Sequence, residues 1–236
     1  AYLLGSFDMS NLHFFFFAIY PYICLAIFFF GSLVRFDREQ YTWKSDSSQL
    51  LYDGQLRLGN ILFHVGVLAV FGGHFVGLLT PLWVWHALGV SHAAKQLLAM
   101  TAGGIFGTMA LVGLLILIKR RFTIDRININ STWRDKLLLV WILVTLLLGL
   151  STICVSADHM DGHEMTLLMQ WAQHIVTFRG VEAAGFITDA HILFKLHMFM
   201  GMTFFLIFPF TRMVHVWSGF ASVFYVFRPW QLVRRR

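Results

Sequence analysis

Four histidines sit where histidine is costly. His64 and His74 fall inside NILFHVGVLAVFGGHFVGLL, and His197 and His215 inside FKLHMFMGMTFFLIFPFTRMVHVW. An imidazole in such apolar surroundings either hydrogen-bonds across helices as a neutral ring or binds a metal. An ionisable group there marks a function by default. Two imidazoles reaching one depth from opposite helices are what bis-histidine haem b ligation requires. Each iron takes a neutral ring on either side and keeps no open position, so such a centre carries electrons and does little else.

The elements that must hold these residues follow from composition. Of 236 residues, 58% are hydrophobic and only 13% charged, and the mean hydropathy is +0.69. Too few polar groups remain to cover a soluble surface, which excludes a water-soluble globule and a disordered chain. Two cysteines, Cys24 and Cys154, each lie in an apolar run. They cannot make a disulfide scaffold, a CxxC pair, a cysteine-held iron–sulfur cluster or a CxxCH haem attachment, and read as small core residues. Five apolar stretches, about 11–34, 58–80, 97–118, 137–156 and 190–218, are long enough to span roughly 30 Å of hydrocarbon. The expectation is an all-α integral membrane bundle of five helices, one domain over 1–236, with a C-terminal arm over 219–236. The start of the chain lacks the basic lead and short apolar core of a signal peptide.

Basic residues set the orientation. The first and third linkers and the C-terminal segment carry 4, 6 and 5 Lys or Arg, and the other side carries three, Lys95, Arg179 and Lys195. The positive-inside rule then puts the N-terminus outside and the C-terminus in the cytoplasm. With the second and fifth spans antiparallel, His64 shares its depth with His215 near the cytoplasm, and His74 with His197 near the outside. Eighteen residues from His197 to His215 make five full turns, so both rings leave one face, whereas the ten from His64 to His74 leave them about 80° apart. The axial separations, roughly 27 Å and 15 Å, disagree. Tilted haem planes or a bend at Pro209 would reconcile them. Gly66, Gly73 and Gly77 leave room for a flat macrocycle; the ordinary alternative is close helix packing, as for Gly103 and Gly107.

The remaining histidines carry weaker signals. His191 points away from the His197 face. His159 and His163 have the i, i+4 spacing of zinc ligands but no third partner. His13, His86, His92 and His174 belong to span ends or loops. Arg212, three residues before His215, is placed to hold the inner haem's propionates with Arg120 or Arg121, the alternative being ordinary membrane anchoring. Lys95 is the single basic residue of the outer linker between the second and third spans, near His74.

The chain resembles the cytochrome b (gamma) subunit of the membrane-bound respiratory nitrate reductases over nearly its whole length. The resemblance is carried by IYPYI, GSLVRFDREQYTWKSDSSQ, the His64–His74 span, SADHMDGHEM, WAQHIVTF, FPFTRMVHVWS and the terminal WQLVRRR. The chain departs most from the family pattern over Pro81–Gln96. The resemblance implies two haem b groups, the proximal held by His64 and His215 and the distal by His74 and His197. It implies a quinol-oxidising site near the outer face with Lys95 in it. It further implies two cytoplasmic partners, an iron–sulfur beta subunit and a molybdenum-cofactor alpha subunit that reduces nitrate to nitrite, held by the arm after Phe220. The setting would be a bacterial or archaeal cytoplasmic (inner) membrane. Two other readings stand beside it: a di-haem cytochrome b serving a formate dehydrogenase or a hydrogenase, and a haem-free transporter or anchor that uses its histidines for protons.

Overall fold

The computed structural model describes residues 9–45, 55–158 and 160–219. Those residues form helices and connecting turns, with no strand among them. Five helices are long and apolar enough to cross a membrane: Asn11–Arg38 (α1), Leu56–Leu79 (α2), His92–Thr123 (α4), Trp133–Asp158 (α6) and Ile192–Phe210 (α9). Shorter helices join them: Leu82–Ala87 (α3), Asp125–Ile129 (α5), His163–Val176 (α7) and Gly180–Phe186 (α8). The arginine-rich linkers share one end of the bundle; α3, α7 and α8 cover the other.

Proline decides the irregular places. Pro21 lies inside α1, where it has no N–H for the Phe17 carbonyl one turn back. The backbone widens to a π-turn over Phe15–Ile19 just ahead of it, and the Trp171 indole N–H takes the Phe17 carbonyl instead at 3.0 Å. A buried carbonyl left unpaired would cost about 1–3 kcal/mol, so this bond also fixes α7 on α1. Around it pack Ala18, Ala172, Ile175, Ala183 and Ala184. At Pro209 the outcome is more drastic. The α-helix of α9 ends at Ile207, passes through tight turns over Phe208–Phe210 and Arg212–Val214, and resumes helical form at His215. The five uninterrupted turns expected between His197 and His215 are therefore broken.

Glycines bring α2 and α4 together. A Cβ on Gly66 would stand 2.5 Å from the Ala110 amide nitrogen, and one on Gly59 would stand 2.9 Å from Ile116. Gly113 meets the backbone of Phe63 in the same way. Between apolar helices, such close backbone approach supplies dispersion that larger residues would prevent. Gly66 is thus a packing residue, not room for a macrocycle as expected from its place beside His64. Gly107 likewise accepts Leu150 of α6. Cys24 is fully buried as expected, whereas Cys154 is exposed on the bundle surface.

Helix α4 begins earlier than its apolar run. Ser91 caps it by accepting a hydrogen bond from the Ala94 amide at 3.2 Å. That cap extends the helix one and a half turns beyond the hydrophobic segment, so Lys95 stands in its first turn and not in a linker. The expected C-terminal arm, 219–236, lies outside the described residues except for Gly219.

Candidate functional site

The broken α9 aims His215 at α2. Its ring centroid lies 6.5 Å from that of His64, with the rings inclined at 66°. The second pair, His74 and His197, has centroids 6.0 Å apart and rings inclined at 47°. Two imidazoles bound on opposite sides of one metal, each through a bond of about 2 Å, put their centroids roughly 6 Å apart. Both pairs therefore have the spacing of a shared iron. Crossed pairings do not arise.

Every one of the four rings is held by Nδ1. That atom lies 2.9 Å from the Asn60 carbonyl in His64 and 2.8 Å from the Val70 carbonyl in His74. In His197 it lies 3.1 Å from the Thr145 carbonyl of α6, and in His215 2.6 Å from the Arg212 carbonyl. A carbonyl only accepts, so Nδ1 carries the proton and Nε2 keeps its lone pair. This is how metal-binding histidines are oriented and made more basic.

Local backbone makes these bonds possible. On α2 the acceptors are the carbonyls one turn before each histidine. Beyond α9, the tight turn over Arg212–Val214 brings the Arg212 carbonyl to His215, whose amide and Nδ1 both donate to it. Arg35 holds the break over Phe208–Val214, donating to the carbonyls of Pro209 at 2.6 Å, Thr211 at 2.7 Å and Thr42 at 2.8 Å. Gly31 lets Pro209 approach, since a Cβ there would stand 2.9 Å from the proline ring. For His197 the decisive neighbour is Gly149, whose Cβ would stand 2.8 Å from the ring Cε1. In the sequence alone Arg35 reads only as a topology charge, and Gly149 has no assigned role. The signal for the latter was present: it is the one glycine in WRDKLLLVWILVTLLLGLSTICVSAD.

The residues present fit a flat, apolar group held between paired imidazoles. Next to the His74–His197 pair, Cβ atoms built on Gly73, Gly77 and Gly201 would meet no described neighbour within 4 Å. This open strip beside two Nε2 lone pairs is where a macrocycle would lie.

Lys95 is only 3% exposed. Its ammonium donates to the Gly77 carbonyl at 2.8 Å, touches Met169 Sδ, and stands 5.0 Å from the Trp85 ring centroid. Gly77 follows His74 by three residues, so Lys95 is tied to the turn after that ligand candidate. Gln173 caps the same helix end through the carbonyls of Leu78 and Thr80. A cation here also suits the negative end of the α2 dipole. Lys95 does not snorkel outward; it faces a small recess lined by Trp85, His86, His92, Met165 and Thr166.

Arg212 reaches the Ser45 carbonyl and lies 3.9 Å from Asp135, while its own carbonyl holds His215. Arg121 donates to Ser131 Oγ at 2.7 Å, and Arg120 is buried. His191 caps α9 by accepting from the Leu193 amide, away from the paired rings. Among the described residues no three His, Cys, Asp or Glu side chains gather to hold a metal ion. His159 lies outside them.

Fold and site together define an all-helical bundle with two histidine pairs stacked between the second and fifth long helices. The family model of the nitrate reductase gamma subunit matches residues 13–236. The chain is 48% identical to the respiratory nitrate reductase 2 gamma chain of Escherichia coli over 97% of its own length and 99% of that relative. It is 46% identical to the respiratory nitrate reductase 1 gamma chain of the same organism, over 97% and 100%. The nitrate reductase gamma chain of Bacillus subtilis is 36% identical over 92% and 96%. The chain belongs to the nitrate reductase gamma subunit family.

Proposed function

We propose that this chain is the membrane-anchoring, quinol-oxidising subunit of a respiratory nitrate reductase, with two haem b groups held by His64 with His215 and by His74 with His197. The observation that carries this reading is the common state of the four rings: each Nδ1 donates to a backbone carbonyl, and the rings stand in two pairs with centroids 6.5 Å and 6.0 Å apart. Bound there, each haem would supply one-electron transfer with both axial positions filled, so that two of them relay electrons across the bundle.

The arginine-rich end is the cytoplasmic one in this reading, by the excess of basic residues in its linkers. His74, His197 and Lys95 then lie near the outer face of a bacterial or archaeal cytoplasmic membrane. Lys95 would hold a quinol oxygen beside the His74 pair. Its ammonium can donate to that oxygen as negative charge grows there during oxidation, in surroundings dry enough for the interaction to count. Electrons would leave at the His64–His215 end toward an iron–sulfur beta subunit, and from it to a molybdenum-cofactor alpha subunit that reduces nitrate. Protons released outside while electrons move inward conserve about 2.3 kcal/mol per elementary charge per 100 mV.

The test is purification with partner subunits, followed by haem and metal analysis. Two b-type haems per chain, both reduced by a quinol analogue, are expected, with iron–sulfur and molybdenum in the co-purifying subunits. A colourless chain, or one whose partners carry no molybdenum, would overturn the reading.

A further inference from the structure

We propose that His86 and His92 form the proton exit of the Lys95 recess, accepting protons released by quinol and passing them to outer water; this rests on the reading of that recess as the quinol site. The two rings face each other with Nε2 atoms 3.0 Å apart and centroids at 5.1 Å. His92 Nδ1 lies 3.1 Å from Thr166 Oγ1, and that hydroxyl donates its hydrogen to the Gly162 carbonyl at 2.9 Å. A threonine hydroxyl has one hydrogen. With that hydrogen committed, Oγ1 must accept, so the proton on His92 sits at Nδ1 and its Nε2 presents a lone pair. His86 therefore donates from Nε2, and in the neutral pair the remaining basic nitrogen is His86 Nδ1.

This arrangement suits the capture and release of one proton at a time. A proton arriving at His86 Nδ1 turns that ring into an imidazolium whose other N–H is already received by His92, a charge-assisted bond. Two Nε2–H groups cannot face each other at 3.0 Å, so the pair holds one excess proton and no more. His86 is exposed and His92 half-buried, so the loaded ring is the one that meets water. The Lys95 ammonium lines the same recess. The other titratable groups on the elements around the pair are Asp158 at the end of α6 and Asp161, His163 and Glu164 at the start of α7. Among the described residues, none completes a metal-binding group with the two histidines.

The step balances simply. Each quinol loses two electrons and two O–H protons. The electrons go to the acceptor held by His74 and His197. Each proton passes from a quinol hydroxyl to His86 Nδ1, and the N–H so formed breaks again as outer water or buffer takes the proton. The pair is regenerated after every transfer.

The experiment uses the intact complex, a water-soluble quinol analogue and the rate of haem reduction, in His86→Ala and Lys95→Ala. His86→Ala should keep both haems and slow quinol-driven reduction about a hundred-fold, the lower end of what a positioned base contributes. Imidazole in the medium should restore the rate, and the pH profile should follow that of the added imidazole. A slowed variant that imidazole does not rescue would make His86 a structural residue and overturn the proposal. Wild-type rates in His86→Ala with a slow Lys95→Ala would overturn the proton exit while leaving the quinol site standing. Wild-type rates in both would remove the quinol site, and the exit with it.

Discussion

The imidazole of His197 rests on Gly149. A Cβ at that glycine would stand 2.8 Å from ring Cε1 and 3.3 Å from Nδ1, the atom that donates to the Thr145 carbonyl one turn earlier. One turn of α6 thus supplies both the acceptor that orients the ring and the hollow that admits it. Gly149→Leu should expel the ring and remove the outer haem while the inner haem stays. Gly149→Ala should keep both haems and shift the outer midpoint potential. Redox titration of the two haem bands checks both, and an unchanged outer haem in Gly149→Leu would refute the contact.

The pairing itself gives a sharper test. His74→Ala and His197→Ala should each delete the outer haem and leave the inner one visible, and His64→Ala and His215→Ala should do the reverse. The ring separations of 6.5 Å and 6.0 Å leave no room for other partnerships. If His64 and His74 replacements removed the same haem, the assignment would fail.

Much of this was legible in the residue pattern. Apolar runs gave five helices, and histidine steps of 10 and 18 gave two depths. What the pattern could not supply depends on contacts between distant segments. Pro209 announces a bend, but its extent is set by Arg35, 174 residues away, which ties down the freed carbonyls. Gly66 and Gly73 look alike in sequence, yet one meets Ala110 backbone and the other meets open space. The start of α4 lies ahead of the apolar stretch 97–118 because Ser91 caps a helix that outruns its hydrophobic segment. His86 and His92, six residues apart across a short loop, converge only because Gly89, at φ +72°, turns the chain back.

Arg35 should matter more to His215 than its place in a basic linker suggests. Removing its three carbonyl bonds loosens the turn that presents the His215 ring. Arg35→Gln should lower inner-haem occupancy or shift its potential without touching the outer haem, whereas Arg38→Gln, an exposed neighbour beside Asp37, should change neither. Spectra of the two variants side by side distinguish a positioning role from the loss of one linker charge.

The α2–α4 contact makes a prediction about stability alone. Gly66→Val would place side-chain atoms on the Ala110 and Phe106 backbone, where a Cβ alone already falls at 2.5 Å and 2.7 Å. Overpacking of this kind costs about 1–3 kcal/mol. A lower thermal midpoint for the detergent-solubilised complex is expected, together with weakened binding of both haems, because α2 carries a proposed ligand to each. Gly72→Ala, where a Cβ meets no described neighbour, should leave the midpoint unchanged.

Lys95 has one observed role, as a helix cap, and one proposed, as a quinol ligand, and a single substitution distinguishes them. As a cap, its ammonium closes the Gly77 carbonyl at 2.8 Å, a task that a neutral amide donor can also perform. As a quinol ligand, it must bring positive charge to an oxygen that gains negative charge as oxidation proceeds, which a neutral amide does far less well. Lys95→Gln should therefore hold α2 in place and keep both haems, yet lose roughly two orders of magnitude in quinol-driven haem reduction, the scale of removing one preorganised donor. Lys95→Ala should show the same kinetic loss with a weakened outer haem, since the cap is gone as well. On the proposed function, nitrate reduction by a small donor acting directly on the partner subunits bypasses this chain and should persist in both. Normal quinol turnover in Lys95→Gln would leave Lys95 a helix cap and move the search for the quinol ligand elsewhere in the recess, to the Trp85 and His92 side.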